Sequence, residues 1–249
     1  DPWSRDADFE IMHCWGLGFH HYENMRWAKH AGKKVVLSAL VSYYESFNER
    51  LRHFLSTYIK KAQYLIYIAN LADAVTVVNE LQAEASHRYF KIPKRKIHVV
   101  PNIVHSNFFR LDNGMASNRG IEPQKPYCLT VGSVCARKNQ LSLIKAIKNS
   151  DCNLVIVGKL LDGEQNYGTM IEQEIKGNPK FLWIKGIESN SDELVSLYED
   201  AALVALPSFV EQQPITLLEA IAVGKPLLIA DKAYARQSYL RGAMRVSPS

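Results

Sequence analysis

Beyond residue 126 the chain repeats a single pattern. Short β-rich runs, "YCLTVG", "NLVIVG", "FLWIKG", "LVALPS" and "PLLIA", alternate with helical runs, "NQLSLIKAIKN", "GTMIEQEIKG", "SDELVSLYEDA" and "PITLLEAIAVG". Strands that are apolar throughout must be covered on both faces, and intervening helices supply that cover. This order predicts an α/β architecture with a parallel sheet, a nearly complete doubly wound domain over 127–249.

The first half carries the same signal less completely. "FEIMH", "KVVLSAL", "AVTVV" and "IHVVP" read as strands, with helices through "HYENMRWAKHAG", the long stretch Glu49 to Leu71, and "ELQAEASHRYF". About four strands fall short of the ~5 to 6 of an average sheet. The expected organisation is a partial Rossmann-like domain over 1–110, a linker over 111–126 containing the polar "DNGMASNRGIEPQKP", and the second Rossmann-like domain. With so few strands the N-terminal domain is expected to lack several, and the opening "DPWSRDADFE", without an initiator Met, reads like the inside of a longer protein. The chain is also expected to stop early, because "RVSPS" follows the last strand without a closing helix.

Apolar residues make up 47% of the chain, a globular proportion. The longest apolar stretch, "YLIYIANLADAVTVV", is interrupted by Asn70 and Asp73 before the ~18 to 20 residues of a membrane span. Cys14, Cys128, Cys135 and Cys152 show no CxxC spacing, and buried thiols in a reducing cytoplasm are the expectation. Residues 1–110 hold fifteen of the 30 Lys and Arg but ten of the 25 Asp and Glu, so the basic excess lies in the first half. That bias suits an anionic partner such as a membrane surface or a phosphate-bearing substrate, although "KIPKRKIHV" also reads as a solvated turn. No nucleic-acid partner is expected.

In open parallel sheets ligands bind at the carboxyl ends of strands, beside helix N-termini. "TVGSVCARKNQ" places Arg137 and Lys138 just ahead of a helix expected near Asn139. Cations there oppose the helix dipole, which bound phosphate would relieve; solvation of both side chains is the alternative. "IVGKL" puts Gly158 and Lys159 at the next strand end, where a plain turn is the ordinary reading. In "PSFVEQQPITLLEA", Pro214 marks a helix start, leaving the N–H groups of Ile215 and Thr216 for an anion. Glu211 precedes that terminus and could simply cap it. Glu219 follows about one and a half turns in and could simply face solvent. His20 and His21, adjacent and expected on opposite sides of the backbone, make a poor metal pair.

The stretch "PSFVEQQPITLLEAIAVGKPLLIA" resembles the signature of the group-1 retaining glycosyltransferases of the GT-B fold, with Glu211 and Glu219 separated by seven residues and followed by Gly224 and Pro226. "VGSVCARKN" is similar to that family's phosphate-contact loop, with Lys138 at its lysine, and "NIVHSNFF" resembles the segment closing its N-terminal domain. The resemblance implies two Rossmann-like doubly wound domains and transfer of a sugar from a UDP- or GDP-linked donor, with retention, to a glycan, lipid-linked or small-molecule acceptor. It implies that Lys138, with Arg137, Gly132 and Ser133 in its loop, neutralises the leaving diphosphate, and that Glu211 serves the donor sugar and the anomeric charge. Glu219 would hold the ribose, the helix start at Pro214, Ile215 and Thr216 would receive phosphate oxygens, and Gly186 and Ile187 would meet the base. No cofactor is implied, and no metal.

The chain departs from the family pattern in three places. Ser133 stands where relatives have arginine. Gln212 stands where many have glycine. Leu40 lies near the place of a donor-contacting histidine; His13, read as ending the first strand, is the acceptor-side candidate. These departures leave an alternative, a catalytically inactive GT-B-like nucleotide-binding or scaffolding protein. The expected location is the cytoplasm, with peripheral contact at the inner membrane face through the basic half; the segment bearing Arg50, Arg52, Lys60 and Lys61 could rest there, although core packing of its apolar face is the more ordinary reading.

Overall fold

The computed structural model describes residues 8–41, 60–109 and 121–248. Two compact units emerge, Asp1–Asn102 and Ile103–Ser249. Both are α/β with parallel sheets, as the alternation requires.

The first unit runs β1 (Ile11–Trp15), α1 (Tyr22–His30), β2 (Lys34–Ser38), α2 (Lys60–Leu71), β3 (Ala74–Val77), α3 (Glu80–Phe90) and β4 (Ile97–Val99). Its strands pair in sequence order, β1-β2-β3-β4, all parallel. Val35, Leu37, Val75 and Val77 from the strands meet Met25, Ala28 and Ile68 from the helices in one core. Local signals set the helix ends. Asn79 caps α3 by accepting from the Gln82 N–H at 2.8 Å, and Lys91 terminates it in the left-handed conformation at φ 55°. Lys96 donates to the carbonyls of Asn70 and Ala72 at the end of α2, so part of "KIPKRKIHV" does more than face solvent. The stretch 49–59 of the expected long helix, with Arg50 and Arg52, lies outside the described residues.

Strand β1 is displaced from the expected "FEIMH". It continues to Trp15 and stops at Gly16, whose φ of 80° breaks the extended chain. His13 is therefore mid-strand, opposite Val36, rather than at the strand's end. The His20 and His21 rings also lie closer than expected, with centroids 3.9 Å apart, because both residues sit in a 3-10 turn rather than an extended segment.

The second unit contains β5 (Tyr127–Val131), α4 (Gln140–Lys148), β6 (Asn153–Val157), α5 (Gln165–Ile175), β7 (Phe181–Ile184), α6 (Asp192–Asp200), β8 (Leu203–Leu206), α7 (Ile215–Ala222), β9 (Leu227–Ala230) and β10 (Met244–Val246). Residues 103–109, read in sequence as the close of the first domain, belong to this unit. Phe108 is buried edge-on against Tyr198, and Asn107 donates to the Asn190 carbonyl at 2.7 Å. Strand β10, missed in the sequence because all three of its residues are exposed, pairs parallel with β9. Two 3-10 turns, Ala233–Arg236 and Ser238–Leu240, bridge β9 and β10 where the pattern elsewhere inserts a helix. Among the described residues no helix is long and apolar enough to cross a membrane.

Candidate functional site

The second sheet has the order β10-β9-β8-β5-β6-β7. The chain winds outward from β5 in one direction and, from β8, in the other. Loops leaving the adjacent carboxyl ends of β5 and β8 therefore diverge and open a crevice. The two loops singled out by sequence, 132–139 and 207–214, are these two.

The loop after β5 first continues beside the end of β6. The Val134 N–H donates to the Lys159 carbonyl at 2.8 Å, and the Leu161 N–H to the Val134 carbonyl at 3.0 Å. This close approach needs glycine at 158. There φ is 153°, and a Cβ would lie 2.0 Å from the Gly132 carbonyl oxygen. The chain then forms a 3-10 turn, Ala136–Lys138, and Asn139 turns it at φ 59° into α4. Arg137 and Lys138 form this turn themselves, and only the N-cap Asn139 separates Lys138 from α4, close to the helix start expected near Asn139.

Both cations cross to the neighbouring loop. Lys138 Nζ lies 2.6 Å from Glu211 Oε1, and Arg137 Nη1 lies 3.1 Å from the same oxygen while donating to the Val210 carbonyl at 2.7 Å. The Phe209 N–H donates back to the Arg137 carbonyl at 2.9 Å, and Asn139 Nδ2 donates to the Pro207 carbonyl. Both cations thus pair with Glu211. The Lys138 and Glu211 side chains are only 12% and 9% exposed, so their charges are weakly screened; Arg137, at 46%, sits at the wet rim. A helix-capping role for Glu211 is not what the structure shows: the N-cap of α7 is Pro214, with no side-chain cap.

Pro214 stands one residue outside the helix, at φ −68° and ψ 118°. Ile215 and Thr216 open α7, and their N–H groups have no helical acceptor four residues back. Thr216 Oγ1 donates to the Val131 carbonyl at 3.1 Å, which fastens this terminus to the end of β5. Gly132 and Ser133 line the same crevice from the other side; Ser133 is exposed, and its carbonyl accepts from Gln140 Nε2 at 3.0 Å. Gly186 and Ile187 follow β7, two strands and so about 10 Å from β5. A Cβ at Gly186 would lie 3.2 Å from Lys159 Cε, which puts Lys159 beside it.

Glu219 does not face solvent. It is 8% exposed, and its Oε2 accepts from Tyr198 Oη at 2.6 Å. Burial raises its pKa, and the Tyr198 hydrogen bond opposes that rise. A carboxylate that binds its proton more tightly folded than unfolded contributes stability at low pH and loses it as pH rises through the folded pKa. Tyr198→Phe removes the opposing contact. It should therefore cost about 1.5–3 kcal/mol at pH 8, where Glu219 is ionised, and clearly less near pH 4, as read by urea unfolding at both pH values.

His13, in the other unit, is exposed. Its Nε2 bonds Ser38 Oγ at 2.8 Å, and Ser38 Oγ bonds Thr76 Oγ1 at 2.8 Å, a polar row across three strands. The four cysteines are free, and burial pushes the Cys128 thiol up to about 12. Among the described residues no group of three or more His, Cys, Asp or Glu is placed to hold a metal ion. Tyr198 escaped the sequence reading, and Gly158 was read there only as a plain turn. A partner 21 residues away leaves no local signal, and a glycine after a strand looks like any turn.

Two family models divide the chain: Glycosyltransferase Family 4 over residues 2–108 and Glycosyl transferases group 1 over residues 115–242. The alpha-galactosylglucosyldiacylglycerol synthase of Streptococcus pneumoniae is 25% identical over 239 residues, 89% of this chain and 60% of that protein. The O-antigen chain mannosyltransferase RfbU of Salmonella typhimurium is 27% identical over 177 residues, 70% of this chain and 46% of that protein. This chain therefore spans about half to three fifths of these relatives' length. The crystal structure of Anabaena HepE in complex with UDP-glucose shares the fold, with a TM-score of 0.68 at 17% identity over 96% of this chain and 65% of that one. The group-1 model spans the whole crevice from Gly132 to Glu219, and with the two parallel-sheet units it shows that this chain belongs to the group-1 glycosyltransferases of the GT-B fold.

Proposed function

We propose that the crevice between β5 and β8 binds the diphosphate and sugar of a nucleotide-sugar donor, and that the chain belongs to an enzyme transferring that sugar with retention of configuration. The meeting of Lys138, Arg137 and Glu211 beside the open N-terminus of α7 carries this reading. A leaving diphosphate gathers negative charge as the glycosidic bond breaks. Fixed cations and backbone N–H groups at that position lower the barrier without reorganising. Lys138 and Arg137 take the diphosphate with the Ile215 and Thr216 N–H groups, and Glu211 faces the sugar and its anomeric charge. Glu219 takes the ribose hydroxyls, and Gly186 and Ile187 meet the base. These groups supply the charge stabilisation without a divalent metal.

The donor is UDP- or GDP-linked, in keeping with the UDP-glucose bound to HepE. The acceptor is a glycan or a lipid-linked molecule, as the names of the two relatives suggest for those proteins, and the basic first half suits peripheral contact with a cytoplasmic membrane face.

A thermal-shift series with UDP, GDP and ADP tests the donor site. One nucleotide at about 100 times its Kd should stabilise the chain by about 2.7 kcal/mol, and the others should do less. No stabilisation by any of them would remove the donor-site assignment.

A further inference from the structure

Tyr239 lies in the 3-10 turn Ser238–Leu240 beyond β9, outside the signature stretch 207–230. That turn is fastened to the Glu211 loop, because Gln237 Nε2 donates to the Gln212 carbonyl at 2.7 Å and to the Tyr234 carbonyl at 3.0 Å, and Leu240 beside it is fully buried. The Tyr239 hydroxyl is buried and, among the described residues, has no hydrogen-bond partner. A buried donor left without an acceptor costs about 1–3 kcal/mol, so such a group calls for an explanation. Burial and the neighbouring Glu211 carboxylate both push its phenol up, so it stays an O–H donor throughout the physiological range.

The explanation follows from what a diphosphate must do on arrival. Lys138 and Arg137 both bond the same oxygen of Glu211, and a diphosphate recruits those cations. Glu211, 9% exposed, then loses two charge-assisted contacts at once, and a shielded carboxylate left short of donors is costly. We propose that Tyr239 is a positioning residue whose hydroxyl donates to the Glu211 carboxylate once Lys138 and Arg137 turn to the diphosphate, holding it aimed at the donor sugar. This exchange rests on the donor-site reading above. Among the described residues, the titratable and charged groups facing Glu211 include Lys138 and Arg137 from the turn after β5 and Tyr239 from the turn after β9.

The test compares wild type with Tyr239→Phe, using calorimetric titration at pH 8 with whichever of UDP, GDP or ADP the wild type binds tightest. The variant should bind about tenfold more weakly, because its ligand-bound Glu211 has lost a donor. In a Glu211→Gln background the same tyrosine substitution should change affinity by less than about twofold. The ligand-free melting temperature of Tyr239→Phe should equal or exceed that of wild type, since the lost hydroxyl had no partner. Equal affinities of variant and wild type, a gap that persists in the Glu211→Gln background, or a lowered ligand-free melting temperature would each overturn the exchange while leaving the donor site standing. Failure of the wild type to bind any of the three nucleotides would overturn the donor site, and the exchange with it.

Discussion

Glu211→Gln should abolish sugar transfer and at the same time tighten nucleoside diphosphate binding. Turnover is expected to fall on the order of 100- to 1,000-fold or more, the loss seen when one preorganised group at a developing charge is removed. Affinity is expected to move the other way, by about three- to tenfold. In the ligand-free chain Glu211 occupies the two cations that the diphosphate needs, so the ligand must displace it. Glutamine releases both cations, and two uncompensated positive charges in a shielded crevice attract an anion more strongly. Calorimetry with the cognate diphosphate, alongside a steady-state transfer assay, separates the two effects. A parallel loss of binding and turnover would reassign Glu211 to holding the loop together. Lys138→Ala is the natural counterpart, and it should lower binding and turnover together.

The largest loss of stability is expected from Gly158→Ala. A methyl group there would sit 2.0 Å from the Gly132 carbonyl oxygen and 2.7 Å from its carbon, at φ 153°. Both contacts are backbone, and that backbone belongs to the ladder joining residues 132–134 to 158–160, so neither side can yield cheaply. The cost should be about 3–5 kcal/mol, a fall in melting temperature of about 10 °C or more. Gly177→Ala is the control, since Gly177 has φ 70° and nothing within 4 Å of a Cβ. It should lose only about 1 kcal/mol, the conformational share of the penalty. Melting curves followed by circular dichroism decide the matter. If the two variants melt together, the clash is relieved elsewhere and Gly158 has no special place. Because Gly132 begins the loop that carries Lys138, a partly folded Gly158→Ala should also lose diphosphate binding.

What the sequence determined by itself was the succession of elements and the chemistry at their junctions. Runs such as "NLVIVG" are apolar throughout because β6 is buried on both faces, and α3 has the predicted bounds because Asn79 and Lys91 mark its ends chemically. Such signals are local, carried by a strand's own composition or by residues within one helical turn. The spacing of Glu211 and Glu219 around Pro214 was visible for the same reason. Its meaning was not, because each carboxylate answers to a distant part of the chain.

Glu211 bonds residues more than seventy positions away, and Glu219 bonds a tyrosine on the preceding helix. These pairs form because β5 and β8 are neighbours in a sheet whose winding reverses between them, a non-local fact that no periodicity records. The same tertiary packing inserted a 3-10 turn ahead of α4, set Pro214 outside α7 and paired the exposed β10 with β9. The sequence thus specified which charges the crevice holds. The sheet order decided which of them meet, since only folding brings the carboxyl ends of two sequence-distant strands side by side.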